Sequence, residues 1–243
     1  MQISQPLKGK LKYRDKGGII SQLFGENYQW YHDNAGTNGL NGLDLATHEG
    51  DDVMAAMDGE VAQAQWSDKG GNLITIITKD KIEGCYWATV YCHMSQLLVS
   101  TGENVTTGQI IGKEGHTGAW CFGTHLHFGV YQYDDPIPGT QQIGYPNGKS
   151  YTRLNINNGM GGALDPLLFM PNEVMEYIII GNEQYLLYVP LKLALSIGDM
   201  TELEKIKLHG LTGIPAPKTA SYLSGYLVYP AVDLLRIKDI FNI

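Results

Sequence analysis

Apolar and polar residues alternate along much of the first two thirds of the chain, and this pattern predicts short strands. From Gly123 to Tyr131 the residues read Gly-Thr-His-Leu-His-Phe-Gly-Val-Tyr. A period of two puts His125 and His127 on one face of a strand, with Leu126 and Phe128 on the other. In Gly39–Ala46, Leu43 and Leu45 flank Asp44, so its carboxylate faces the polar side of a strand or a cavity that needs it. Residues 50–66 predict two short strands joined by a turn at Asp58-Gly59. Leu73–Thr78 is a β-branched run suited to a buried strand. Tyr86–His93 predicts the next, with Ala88, Val90 and Cys92 on one side and Trp87, Thr89, Tyr91 and His93 on the other.

Between these segments the pattern breaks. Tyr28, Trp30, Tyr31 and His32 crowd a stretch that reads as an irregular loop walling a groove, or one pinned to the core by its rings. Residues 132–162, rich in Gly, Pro, Asn and Tyr, read as a long excursion beside that groove. After Asn172, Tyr177–Ile180 and Tyr185–Val189 flank Gly181-Asn182 as a hairpin. Thr201 caps a short helix that Gly210 ends, Gly225–Tyr229 adds a strand, and Val232–Phe241 a final helix. The expected fold is mainly β, an antiparallel β-sheet forming a groove, with a small C-terminal α+β module. The expected boundaries are a lead over 1–18, the main domain over 19–171 and the module over 172–243.

Composition narrows the function classes. The 243 residues include 30 Gly and 15 Tyr, consistent with many short strands joined by turns. Seventeen basic residues against 25 acidic ones leave a net charge of -8 without a Lys/Arg cluster, which argues against nucleic acid as a partner. Cys85, Cys92 and Cys121 form no Cys-x-x-Cys pair and are expected to be reduced, buried small hydrophobes. No apolar run reaches the 18 or so residues of a membrane helix, and the first residues lack a signal-peptide core, so synthesis in the cytoplasm is expected.

His125, His127 and Asp44 are the candidate chemistry. Two imidazoles and a carboxylate facing one cavity suit zinc, with imidazole as ligand or proton-transfer partner. The same residues also fit a polar network at strand ends with no metal. His93, at the end of its strand, acquires a role only from the order of the segments around it. Asp44 in Gly-Leu-Asp-Leu-Ala is followed by Val53–Val61, Gly71-Asn72, Tyr91-Cys92-His93-Met94-Ser95, Val105–Gly112, Gly115-His116-Thr117-Gly118 and His125-Leu126-His127-Phe128. This ordered set resembles the M23 family of zinc metallopeptidases, the lysostaphin or LytM type, over about residues 19–171.

The resemblance implies a groove with zinc at its floor that cleaves glycine-containing or stem peptides of bacterial peptidoglycan. It implies Asp44 and His127 as metal ligands and His93 and His125 as the catalytic pair. Tyr31, His32, Asn72, Tyr91, His116 and Trp120 are the expected groove residues. One position departs from the family. Leu40 stands four residues before Asp44, where the family has its first histidine ligand. A leucine offers no lone pair, so zinc is expected to bind weakly or not at all unless another side chain substitutes, His32 being one that could fold back. His48 is too far along an extended strand to share an ion with Asp44.

Two readings follow. One is a catalytically impaired domain kept for binding peptidoglycan peptides or for structure; the other is an active zinc endopeptidase with a rearranged site. The lack of a signal peptide, together with a terminal module, resembles phage-encoded proteins. That implies a virion or phage-tail setting, or release at lysis, with residues 172–243 docking to other virion proteins.

Overall fold

The computed structural model describes residues 1–170, Lys16 by its backbone alone, and beyond them the backbones of five strands. The chain divides into two compact units, 1–166 and 167–243. In the first unit the elements run β1 (Ile20–Gln22), α1 (Tyr28–Ala35), β2 (Leu43–Leu45), β3 (Asp52–Met54), β4 (Gly59–Ser67), β5 (Gly71–Ile77) and β6 (Tyr86–Met94). They continue through β7 (Gln96–Leu97), β8 (Asn104–Val105), β9 (Ile110–Lys113), β10 (Leu126–Asp134), β11 (Gln142–Gly144), β12 (Ser150–Arg153) and β13 (Ala163–Leu164). The main sheet is ordered β1-β2-β10-β6-β5-β4-β8 and all its pairings are antiparallel. A small sheet, β3-β9-β7, accompanies it. The fold is therefore mainly β and antiparallel, as the alternation predicts.

Register explains which side chains meet. Asp44 pairs with His127, Leu43 with Phe128 and Leu45 with Leu126. Directly opposed residues share a face, so the carboxylate and the imidazole emerge together while the four apolar side chains enter the core. On that core face Tyr91 packs against Phe128 with ring centroids 5.2 Å apart. The other face of β10 carries His127 at one end and Tyr131 and Tyr133 at the other. Around the tyrosine end, Tyr145, Tyr151, Met160 and Ala163 close a second apolar cluster with Ala62, Ile77 and Ala88.

Three expectations are corrected here. Residues 28–35 form a helix, not an irregular loop; none of its side chains is fully buried, so no amphipathic pattern announces it. Its end is set by Gly36, left-handed at φ 70°, whose N–H donates to the carbonyl of Tyr31. Asp58-Gly59 does not join a hairpin, because β3 pairs with β9 while β4 pairs with β5 and β8. Asp58 instead accepts hydrogen bonds from the N–H and hydroxyl of Thr107. Residues 132–162 are not an excursion without regular structure. They contain the β11–β12 hairpin, and β12 extends the sheet beside β10 to cover the tyrosine cluster.

In the second unit, β14 (Met175–Ile180), β15 (Glu183–Tyr188), β16 (Leu193–Ser196), β17 (Lys218–Thr219) and β18 (Leu227–Tyr229) form one sheet ordered β17-β14-β15-β16-β18. The expected hairpin is there, with Tyr177 opposite Leu186, and β18 falls within the strand expected at 225–229. The helices expected after Thr201 and Val232 lie outside the described residues. Among the described residues no helix is long and apolar enough to cross a membrane.

Candidate active site

The site lies where β2, β6 and β10 end side by side. His127 Nδ1 is 2.9 Å from Asp44 Oδ1, and His125 Nε2 is 3.6 Å from Asp44 Oδ2. Gly42 makes room for this arrangement: a Cβ there would come within 2.6 Å of His127 Cε1 and 2.7 Å of the Phe128 carbonyl oxygen.

His93 reaches the site by a local irregularity. Strict alternation would send it to the core face with Tyr91. Between the pairs Ile74–Tyr91 and Asn72–Met94, however, Cys92 and His93 together oppose Leu73 alone, which is a bulge. His93 adopts φ 69°, a left-handed conformation that costs about 1–2 kcal/mol in a non-glycine residue. Two hydrogen bonds hold it there, from its N–H to the Gly70 carbonyl at 2.7 Å and between Nδ1 and the Thr117 carbonyl at 2.8 Å. The Thr117 loop can press this close because Gly71 and Gly118 have no side chains; a Cβ on either would sit 2.2 Å from the other segment. The rings of His93 and His125 end with centroids 4.7 Å apart. Burial, and then the neighbouring His125 imidazole, lower the His93 pKa to about 4, so it is neutral at neutral pH.

Beside these groups lies a cleft whose lining includes Trp30, Tyr31, Asp44, Trp120, Phe122 and His125. Trp30 meets Trp120 and Phe122 edge to face at 5.4 and 5.7 Å. Lys69 sits 4.0 Å over the Trp120 ring, and Phe122 is 77% exposed. Burial, and then the charge of Asp44, push the Tyr31 phenol above its ordinary pKa, so it stays a hydrogen-bond donor.

Of the expected groove residues, Tyr31 and Trp120 line this cleft and four do not. Tyr91 is fully buried, its hydroxyl accepting from Ala56 N–H and donating to Thr89. Asn72 spends its amide on the carbonyls of Met94 and Ser95, which fixes the strand end. His32 is exposed on α1, stacked on Tyr28 and paired with Asp33, and does not fold back toward Asp44. His116 is exposed, with Nε2 3.0 Å from the Cys121 carbonyl oxygen. Two site residues escape the strand pattern, Phe122 and Cys121, because both lie in the irregular loop before β10. The signal for Cys121 is its spacing, four residues before His125.

The family's zinc needs three protein donors. Asp44 and His127 supply two, already hydrogen-bonded to each other. Leu40, at the third position, is a hydrocarbon only 1% exposed. Among the described residues no third donor joins this pair within 4.8 Å, so the donor set does not fit the family's ion.

Residues 38–138 match the model of Peptidase family M23. They form an M23 peptidase-like domain. Glycyl-glycine endopeptidase ALE-1 of Staphylococcus capitis is 35% identical over 134 residues, which cover 51% of this chain and 35% of that protein. Peptidoglycan DD-endopeptidase ShyA of Vibrio cholerae is 34% identical over 97 residues, covering 40% and 21% respectively. The chain thus spans about a third or less of the length of these curated relatives. The solved catalytic domain of lysostaphin from Staphylococcus simulans is 27% identical, with 58% of this chain and 95% of that one covered at a TM-score of 0.40. Within these residues Asp44, His93, His125 and His127 lie together at the strand ends, and Leu40 stands four residues before Asp44.

Proposed function

We propose that the M23 domain binds peptidoglycan peptides in the aromatic cleft and does not hydrolyse them by the family's zinc chemistry. The observation that carries this is the pairing of an intact, aromatic-lined cleft with a buried leucine at the first ligand position. Rings such as Trp30, Trp120 and Phe122 offer large contact areas to an extended peptide at low entropic cost. Two relatives whose names describe endopeptidases, of glycyl-glycine bonds and of peptidoglycan, support this substrate class.

The test is to mix the full chain with purified peptidoglycan sacculi, with and without added zinc, and to measure co-sedimentation and release of new amino groups. Binding without release is expected, and Trp120→Ala should weaken binding about tenfold or more, the cost of removing an aromatic anchor. Absence of binding overturns the reading. The presence of Asp44 and His125 in the cleft lining, with His93 against His125 and His127 against Asp44, favours a second reading, an active endopeptidase. Zinc-dependent release that Asp44→Ala abolishes would establish it. A virion setting, with residues 172–243 as the docking part, is our expectation from the family resemblance; detection of the chain in purified particles tests it.

A further inference from the structure

A donor set other than the family's lies beside the Asp44–His127 pair. The donor atoms of His93, Cys121 and His125 all fall within 4.8 Å of one another. No other group of three among the described residues comes this close. We propose that these three side chains form a thiolate-containing divalent-metal site, displaced from the position that Leu40 disables.

Several features besides proximity support it. Metal-binding histidines commonly anchor one ring nitrogen on a carbonyl, which fixes the ring and frees the other nitrogen's lone pair. His93 does this, with Nδ1 2.8 Å from the Thr117 carbonyl oxygen. His125 instead turns Nδ1 toward the Cys121 sulfur; that nitrogen is 2.8 Å from the Gly123 carbonyl oxygen, a contact that the metal would replace. The Cys121 sulfur is 3.6 Å from His125 Nδ1 and donates to the same Gly123 carbonyl at 3.1 Å. Cys121 is 8% exposed and does not line the cleft, so its thiol is not presented to a groove ligand as a nucleophile. Two imidazoles and one thiolate suit zinc or cobalt. Closing the triangle onto ligand distances of about 2.0–2.3 Å asks each donor to move by about half an ångström to an ångström. The fourth position is left to water.

Binding would release the thiol proton to solvent as the metal–sulfur bond forms. The ion would tie the end of β6, the Cys121 loop and the entry to β10 into one unit, steadying the wall that carries Trp120 and Phe122. It would also occupy the two imidazoles to which the family resemblance gives the catalytic work. The inference does not rest on peptide binding, because its readout is the metal.

The test is titration of the chelator-treated full chain with cobalt(II), followed by absorbance. One equivalent should bind with the sulfur-to-cobalt charge-transfer band in the near ultraviolet. Cys121→Ser should abolish the band and weaken affinity about tenfold or more, since even supporting residues around a metal cost that much. His127→Ala should retain the band. A saturated wild-type complex without the band overturns the proposal, as does a band that survives Cys121→Ser or one that His127→Ala removes. Zinc should compete the cobalt away and raise the thermal midpoint of the wild type but not of Cys121→Ser.

Discussion

The same face of β10 ends in two opposite environments. At its C-terminal end Tyr133 is fully buried and its hydroxyl is saturated, receiving Arg153 Nη2 at 3.0 Å and Nε at 3.2 Å and meeting the Tyr145 hydroxyl at 2.9 Å. Arg153 also lies 4.5 Å over the Tyr131 ring and donates to the Gly161 carbonyl. At the N-terminal end, His127 and His125 share one carboxylate at the edge of a cleft. The β11–β12 excursion covers the first end and leaves the second uncovered. Polar groups that satisfy one another inside a core fix the fold, whereas polar groups turned toward a cleft keep capacity for a ligand. Stability and binding should therefore separate along a single strand.

The largest expected effect is at the covered end. Tyr133→Ala deletes a buried aromatic ring and leaves the Arg153 donors without their acceptor, and should cost about 3–5 kcal/mol in urea unfolding. Sacculus binding by the fraction still folded should be unchanged. A loss of binding in folded Tyr133→Ala protein would break the separation. Next comes Gly42→Ala, where a methyl group would overlap both the His127 ring and the Phe128 carbonyl. Overpacking of this kind costs about 1–3 kcal/mol, and His127 should be pushed off Asp44. Loss of the hydrogen-bonded His127 imidazole proton in NMR spectra checks this. A signal that persists at wild-type stability would show that the glycine makes no room.

These two variants also mark how far the sequence reaches. Alternation puts His125 and His127 on one face and turns Asp44 to the polar side of its own strand; the pairing of β2 with β10 then brings the three together. His93 is different. Alternation assigns it to the core face, and only the bulge opposite Leu73 turns it to the site. A bulge depends on what the neighbouring Gly71 and Gly118 loops permit, which a strand pattern does not encode. The ordered family motifs located His93 without explaining it. Cys121 and α1 escape the strand pattern for a related reason. One sits in an irregular loop whose path the tertiary contacts set, and the other buries none of its side chains fully and so shows no apolar stripe. Tyr91 was misread because the aromatic beside a site histidine faces the opposite side once the strand bulges between them.

The smallest effect is expected at Glu114, which links the two halves of the site. Its carboxylate accepts from the Thr47 N–H at 3.0 Å and from the Thr47 hydroxyl, pinning the chain three residues after Asp44 to the loop that leads into His116. Glu114 is fully buried. Burial is the main cause raising its pKa, with the charge of Asp51 adding to it, while the Thr47 hydrogen bonds pull the other way. A carboxyl whose folded pKa lies above its unfolded value of 4.5 binds protons more readily in the folded chain. Its stabilising contribution is then complete below pH 4.5 and is lost as the pH rises through the folded pKa. Unfolding free energies of the wild type and Glu114→Gln, measured in chelator across acid to neutral pH, isolate this term. The wild-type advantage over Glu114→Gln should shrink as pH rises and then level off. An advantage that grows with pH would mean that the Thr47 hydrogen bonds to the ionised carboxylate outweigh its burial. Glu114 would then belong with Tyr133 among the saturated groups that hold the fold, even though it stands at the uncovered end of the strand.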